Sequence, residues 1–157
     1  MMKRSKPLRR VARLVSLGPL RRTEAKEGGA HRRRPTGPTP QTVALVLARA
    51  GGRDEITGEA LLGVRGLDYD LHHRRPRRMG GDPRPDTNSP ANLLAILRAT
   101  HLDVERRRAD ALAHGWLLHS GDDPAAVAVL VDHGSRWAYL TDDGRYVDQP
   151  PGTEVAS

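Results

Sequence analysis

Residues 70–101 of this chain read DLHHRRPRRMGGDPRPDTNSPANLLAILRATH. Two adjacent histidines, His72 and His73, are followed at once by Arg74, Arg75, Arg77 and Arg78, then by a Gly80–Gly81 turn. Asn92 stands before an apolar run, and His101 closes the stretch. Imidazoles ligate divalent metals and exchange protons near neutral pH, while guanidinium groups pair with phosphate. This mixture suits a folded site that holds a metal and touches phosphate better than it suits a core.

Working outward, Leu67–His72 alternates Leu67, Tyr69 and Leu71 as a half-buried strand does. Arg74–Pro90 is too rich in Pro, Gly, Asp and Asn to be regular, so it reads as a loop. The NLLAIL run at 92–97 has no period long enough to choose between strand and helix. Leu102–His114 is the clearest helix, with Asp103 at its cap or in its first turn and Gly115 ending it. Upstream, Gln41–Arg49 follows a proline and reads as a short helix, with a strand left open. Gly51–Gly52 ends that element, and Thr57-Gly58 and Gly63 mark turns. Downstream the pattern becomes β. Trp116–His119, Val127–Val131 and Trp137–Leu140 are candidate strands, and residues 142–144 turn the chain into Tyr146–Val147.

A chain of 157 residues makes one small domain with extensions. It has no Phe, and its core must be assembled from Leu, Val, Ala and two tryptophans. So small a core calls for a ligand, metal or partner. Residues 1–40 carry 12 Lys or Arg against 2 Glu, whereas the remainder carries a net charge of −3. A basic arm on a mildly acidic body points to a polyanion, through counterion release on phosphate, or else to a solubilising tail. The absence of cysteine excludes disulfides and thiolate metal sites. No apolar run approaches the roughly 18 residues of a membrane span. The apolar part of the first 20 residues is interrupted by Arg13 and lacks a small-residue cleavage site, which argues against a signal peptide. An Arg-rich, acid-poor start is also a feature of organelle presequences.

Hydrolysing a phosphodiester needs a water nucleophile, a base for its proton, and positive charge on the phosphorane and leaving oxygen. His72 and His73 would point to opposite faces of a strand, so both serve one site only if the strand bends there. The Arg-Pro that follows favours such an exit. His101, just before the clear helix, supplies a second ligand from its first turn. Plainer readings are a surface histidine pair, a capping His101, a turn-closing Asn92 and a solvated arginine loop.

The stretch resembles the HNH endonucleases, the nucleases built on a ββα-metal finger, and especially small phage and prophage versions from high-GC bacteria. The resemblance rests on His72-His73, RRPRRMGG at 74–81, Asn92-Leu93 and His101, and extends through ERRRADALAHGWLL and WAYLTDDGRY to cover about Val43–Pro150. It implies an α+β fold: a ββα-metal (His-Me finger) core with a flanking helix and C-terminal β strands. The implied domains are a basic, mostly disordered arm at 1–40, a nuclease domain at 41–150 and a frayed tail at 151–157. Within the nuclease domain the finger spans about 67–114 and a β-rich part 115–148.

The same resemblance implies the roles. His72 and His101 are metal ligands, His73 is the general base, and Asn92 holds the His73 backbone or ring. Glu105, one turn after His101, binds the metal, holds a water on it or salt-bridges an arginine, the water being favoured. Arg74, Arg75, Arg77 and Arg78 lie on backbone phosphates. The cofactor is one divalent ion, Mg, Mn, Ni or Zn. Many relatives also carry two cysteine pairs for a structural zinc, expected here near Asp54 and Thr57 and near Ile96 or Leu97 and Thr100. All are absent, so no structural zinc is expected, and apolar packing or a compact loop must replace it. The implied function is metal-dependent cleavage of DNA in the host cytoplasm, in phage genome processing or packaging, with a terminase or other packaging protein as a further partner. The alternatives are a non-catalytic nucleic-acid-binding protein and a phage structural or adaptor protein.

Overall fold

The computed structural model describes residues 36–77 and 84–152. Nearly all of the expected basic arm, Arg78 with the Gly80–Gly81 turn, and positions 153–157 of the expected frayed tail lie outside them. The architecture is α+β, with two small antiparallel sheets.

Helix α1 spans Pro40–Ala50. Thr39 caps it by accepting from the Thr42 amide, proline occupies the first turn, and Gly51 ends it at φ 59°. The helical reading of this segment holds. Strand β1 is Tyr69–His73 and β2 is Leu93–Leu97, paired with His72 opposite Leu94 and His73 opposite Leu93. The expected strand start at Leu67 is corrected: Leu67 is 70% exposed, in a turn that Asp68 closes on the Val64 amide. Two 3-10 turns, Pro85–Asn88 and Pro90–Asn92, occupy the end of the expected loop.

Leu93–Leu97 of the NLLAIL run form a strand buried on both faces, which explains the missing period. Leu94 and Ile96 join the main core with Val104, Leu117, Val129, Val131 and Leu140. Leu93 and Ala95 pack instead with Val46 of α1 and with Leu71. Because directly paired residues share a sheet face, Asp70 and His72 lie on the main-core face and Leu71 and His73 on the α1 face.

Helix α2, Arg98–Arg106, follows β2 without a loop and completes a ββα unit. It starts four residues before the expected Leu102, so His101 sits one turn inside it. Asp103 is accordingly not at the cap or in the first turn; its carboxylate pairs with Arg107. Arg107, at φ −104° and ψ 56°, breaks the helix before α3, Arg108–Ala113. Gly115 then turns the chain at φ 69°, where a Cβ would sit 2.0 Å from the Ala128 carbonyl oxygen. Trp116–His119 is not a strand: the Leu117 and Leu118 amides bond Ala111 and Arg74 carbonyls instead of a ladder. The second sheet is β3 (Val129–Val131), β4 (Arg136–Leu140) and β5 (Tyr146–Val147), in that order.

Where a zinc replacement was expected to be apolar packing or a compact loop, the structure places a buried carboxylate. One Asp54 oxygen accepts from the Ile56 and Thr57 amides at 2.8 and 2.9 Å. The other accepts from the Leu97 amide at 2.8 Å and the Thr100 hydroxyl at 2.6 Å. Asp54 thus joins the same two segments and seats a negative charge at the start of α2, where the helix dipole favours it. Glu55 ties its neighbours in the same way, to Arg49 of α1, the Ala95 amide of β2 and the Tyr146 hydroxyl of β5.

Arg74 is fully buried, and its guanidinium donates to the carbonyls of Gly115, Ala91, Pro124, Val127 and Ala128. Replacing it with methionine leaves those carbonyls without donors and should cost about 3 kcal/mol or more. Asp54→Asn should cost at least about 2 kcal/mol, because an amide nitrogen cannot accept from the donors that face it. Denaturant unfolding of each variant measures both losses.

Candidate metal centre

The ligand geometry follows from strand and helix periods. Asp70 and His72 are two apart on β1 and share a face. His101 and Glu105 are four apart on α2 and share a helix stripe. Since α2 packs on that face of the hairpin, ligand atoms of His72, His101 and Glu105 lie within 4.8 Å of one another. The rings of His72 and His101 meet edge to face with centroids 4.9 Å apart.

Each histidine is oriented by a second contact. His72 Nε2 lies 2.9 Å from the Trp116 carbonyl oxygen, which only accepts, so Nε2 carries the hydrogen and Nδ1 keeps its lone pair. His101 Nδ1 lies 3.4 Å from an Asp70 carboxylate oxygen, leaving Nε2 to ligate. A carbonyl or carboxylate behind an imidazole is the usual support of a metal-bound histidine. Glu105 is half exposed and receives Arg108 at 2.9 Å on one oxygen, which leaves the other for an ion. Two nitrogen donors and one carboxylate fit a divalent ion with its remaining positions filled by water or substrate. Burial pushes the His72 pKa down to about 4, against the pull of the Trp116 carbonyl, so the ring is an uncharged ligand at neutral pH.

His73 lies on the other face of β1. Its Nε2 is 2.9 Å from Arg77 Nε and 3.1 Å from Asn88 Oδ1. Burial lowers its pKa first, and the Arg77 charge lowers it further, so neutral His73 is favoured. Asn92 is buried but does not hold His73. Its Oδ1 accepts from the Arg75 amide at 2.8 Å and its Nδ2 donates to the Thr87 carbonyl at 2.8 Å. It therefore braces the loop just past the histidines, and Asn88 is the residue on the His73 ring. In sequence Asn88 stands in a Pro/Asp/Asn cluster that reads only as a turn. Asp70 was within reach of the period of two from His72 but carried no other signal.

The arginine expectation needs correction at two positions. Arg74 is spent on main-chain carbonyls, and burial pushes its pKa down to about 9 while leaving it a cation at neutral pH. Arg75 is 3% exposed and is held by Asp86 at 2.5 Å and the Asp122 carbonyl. Neither presents its guanidinium to solvent, although Arg75 Nε is buried without a partner. Arg77 does reach solvent, and Arg78 lies outside the described residues.

Comparison with known proteins finds no matching family model, no matching curated protein and no matching solved structure.

Isothermal titration with Mn²⁺ or Zn²⁺ should show one site, weakened roughly tenfold or more by His101→Ala and by Asp70→Asn. Metal-free stability should also depend on pH. An unfolded histidine titrates near 6.5, so between about pH 6.5 and 4 the unfolded chain binds a proton that folded His72 refuses. The stabilisation is complete above that window and is lost as pH falls through it, on the order of 3 kcal/mol for His72. His73 adds in the same direction. Denaturant titrations in chelator across this window should show the slope, and His72→Asn should flatten it.

Proposed function

We propose that this protein is a metal-dependent endonuclease of the HNH, ββα-metal-finger kind that hydrolyses DNA phosphodiester bonds. The observation that carries this reading is the His72, His101 and Glu105 cluster on a ββα unit, with a second histidine on the adjacent strand position. A buried histidine with an oriented lone pair, a carboxylate-backed histidine and a glutamate make a ligand set. A neutral His73, the next residue along β1 and on its other face, is the candidate base. A purely structural site has no need of the base.

His72, His101 and Glu105 would hold one divalent ion, which when bound supplies positive charge to the phosphorane and the leaving oxygen. His73 Nε2 takes the proton of a water whose oxygen attacks phosphorus. The bond from phosphorus to the 3′ oxygen breaks, that oxygen takes a proton from solvent, and the products are a 5′-phosphate and a 3′-hydroxyl. Asn88 accepts from the newly protonated Nε2. Arg77 holds a phosphate oxygen, and the arginines of residues 1–40 add sequence-independent affinity for the duplex. Phage genome processing or packaging, in the host cytoplasm and beside a terminase, is the setting this reading implies. No helix among the described residues is long and apolar enough to cross a membrane.

The test is a plasmid-nicking assay with full-length protein and Mg²⁺, Mn²⁺, Ni²⁺ or Zn²⁺. Nicking should require the ion and fall by about 10²–10⁴-fold in His73→Ala, the usual contribution of a positioned base. DNA binding by that variant should be unchanged. Folded protein that binds DNA and nicks with none of these ions overturns the enzyme.

A further inference from the structure

The lone pair that His73 needs for proton transfer is already taken. Arg77 Nε carries one hydrogen and can only donate, so its 2.9 Å contact makes His73 Nε2 an acceptor and puts the ring hydrogen on Nδ1. The rest of the guanidinium is held as firmly. One terminal nitrogen donates to Asn88 Oδ1 at 2.9 Å and the other to the Thr36 carbonyl at 2.8 Å. Asn88 in turn donates to that same carbonyl at 3.3 Å. In this arrangement a water cannot reach the base, and Asn88 Oδ1 faces a nitrogen that has no hydrogen to give it.

Yet Arg77 has no carboxylate partner among the described residues. It lies with Arg65, Asp70 and His73 on the wall of a cavity of about 220 Å³. Its three acceptors are an amide, a carbonyl and an imidazole, all neutral when His73 is neutral. A phosphate offers the same fork two charged oxygens, and charge-assisted bonds are roughly twice as strong as neutral ones. The anion therefore outcompetes the ring for the guanidinium.

We propose that Arg77 is a substrate-released latch on His73: it occupies the free lone pair of the ring in the resting protein and surrenders it when a nucleic-acid phosphodiester takes the guanidinium. Release leaves Nε2 open to water, with Asn88 Oδ1 placed to accept once Nε2 carries a hydrogen. Asn88 is thus a positioning residue, and base activation is tied to the arrival of substrate. The inference rests on the reading of His73 as the base, but the latch itself is observable without cleavage.

The experiment is long-range ¹⁵N–¹H NMR of the histidine rings in full-length, ¹⁵N-labelled protein kept in chelator so that nothing is cut. In the resting protein His73 should show the Nδ1–H tautomer, with Nε2 shifted upfield as a hydrogen-bonded acceptor. Arg77→Ala should move Nε2 downfield to the position of an acceptor bonded only by water. Arg77→Met, which keeps much of the side-chain packing but has no donor for Nε2, should do the same and guards against a folding defect in the alanine variant. A short DNA duplex should produce this downfield move in the wild type and no further move in Arg77→Ala. If inorganic phosphate moves Nε2 and the duplex does not, the nucleic-acid assignment is overturned. A resting ring with hydrogen on Nε2, a duplex that does not bind, or one that binds with Nε2 unmoved overturns the latch. Failure of the nuclease reading appears separately, as absent nicking in a protein whose ring signals still respond.

Discussion

Everything at the candidate centre depends on where the Arg74 guanidinium is buried. Among the described residues it is paired with no carboxylate and instead gathers five main-chain carbonyls from Ala91, Gly115, Pro124, Val127 and Ala128. Those carbonyls belong to the approach to β2, the end of α3 and the segment leading into β3. A buried cation costs several kcal/mol of desolvation unless dipoles surround it, and a set of fixed carbonyls does so while cross-linking the segments that carry them. Gly115 is one of these, and the next residue, Trp116, presents the carbonyl that orients His72. His72 is therefore oriented from a different segment of the chain, held to β1 through its own neighbour in sequence.

A second buried charge sets the other half of the site. The Asp54 carboxylate accepts from Leu97 and Thr100, and the next residue on α2 is His101. Hydrogen bonds from four donors join the two segments, and they place the helix by its first turn. Glu55 and Arg49 repeat the device one residue on, linking α1, β2 and β5. This is how a chain with no Phe and few aromatics organises a small core. Apolar burial provides the bulk, while satisfied buried charges determine which segments meet.

Strand β1 divides these side chains between its faces. Asp70 and His72 face α2 and the candidate metal cluster, whereas His73 faces the α1 side and contacts Arg77 and Asn88. The adjacent histidines at the end of the strand thus stand in two different surroundings. The chain leaves β1 immediately afterwards, as the Arg74 amide bonds the Asn92 carbonyl and the Asn92 side chain braces Arg75.

Much of this was legible in the residues themselves. The turn signals, the short α1 after its proline and the late β hairpin follow from local rules, which act within a few residues, whereas the grouping of His72, His101 and Glu105 was carried by the resemblance and not by any local period. What failed was decided at a distance. Leu67 alternates correctly but has no partner strand, Trp116–Leu118 looks like a strand but gives its amides to Ala111 and Arg74, and NLLAIL lost its period because both faces are covered. The start of α2 moved four residues upstream because Asp54, more than 40 residues away in sequence, supplies its N-terminal acceptor. Composition alone made four arginines after His73 look equivalent. Only the tertiary structure separates the buried Arg74 and Arg75 from the reachable Arg77, since a guanidinium takes carbonyls as readily as phosphates and burial decides which it meets.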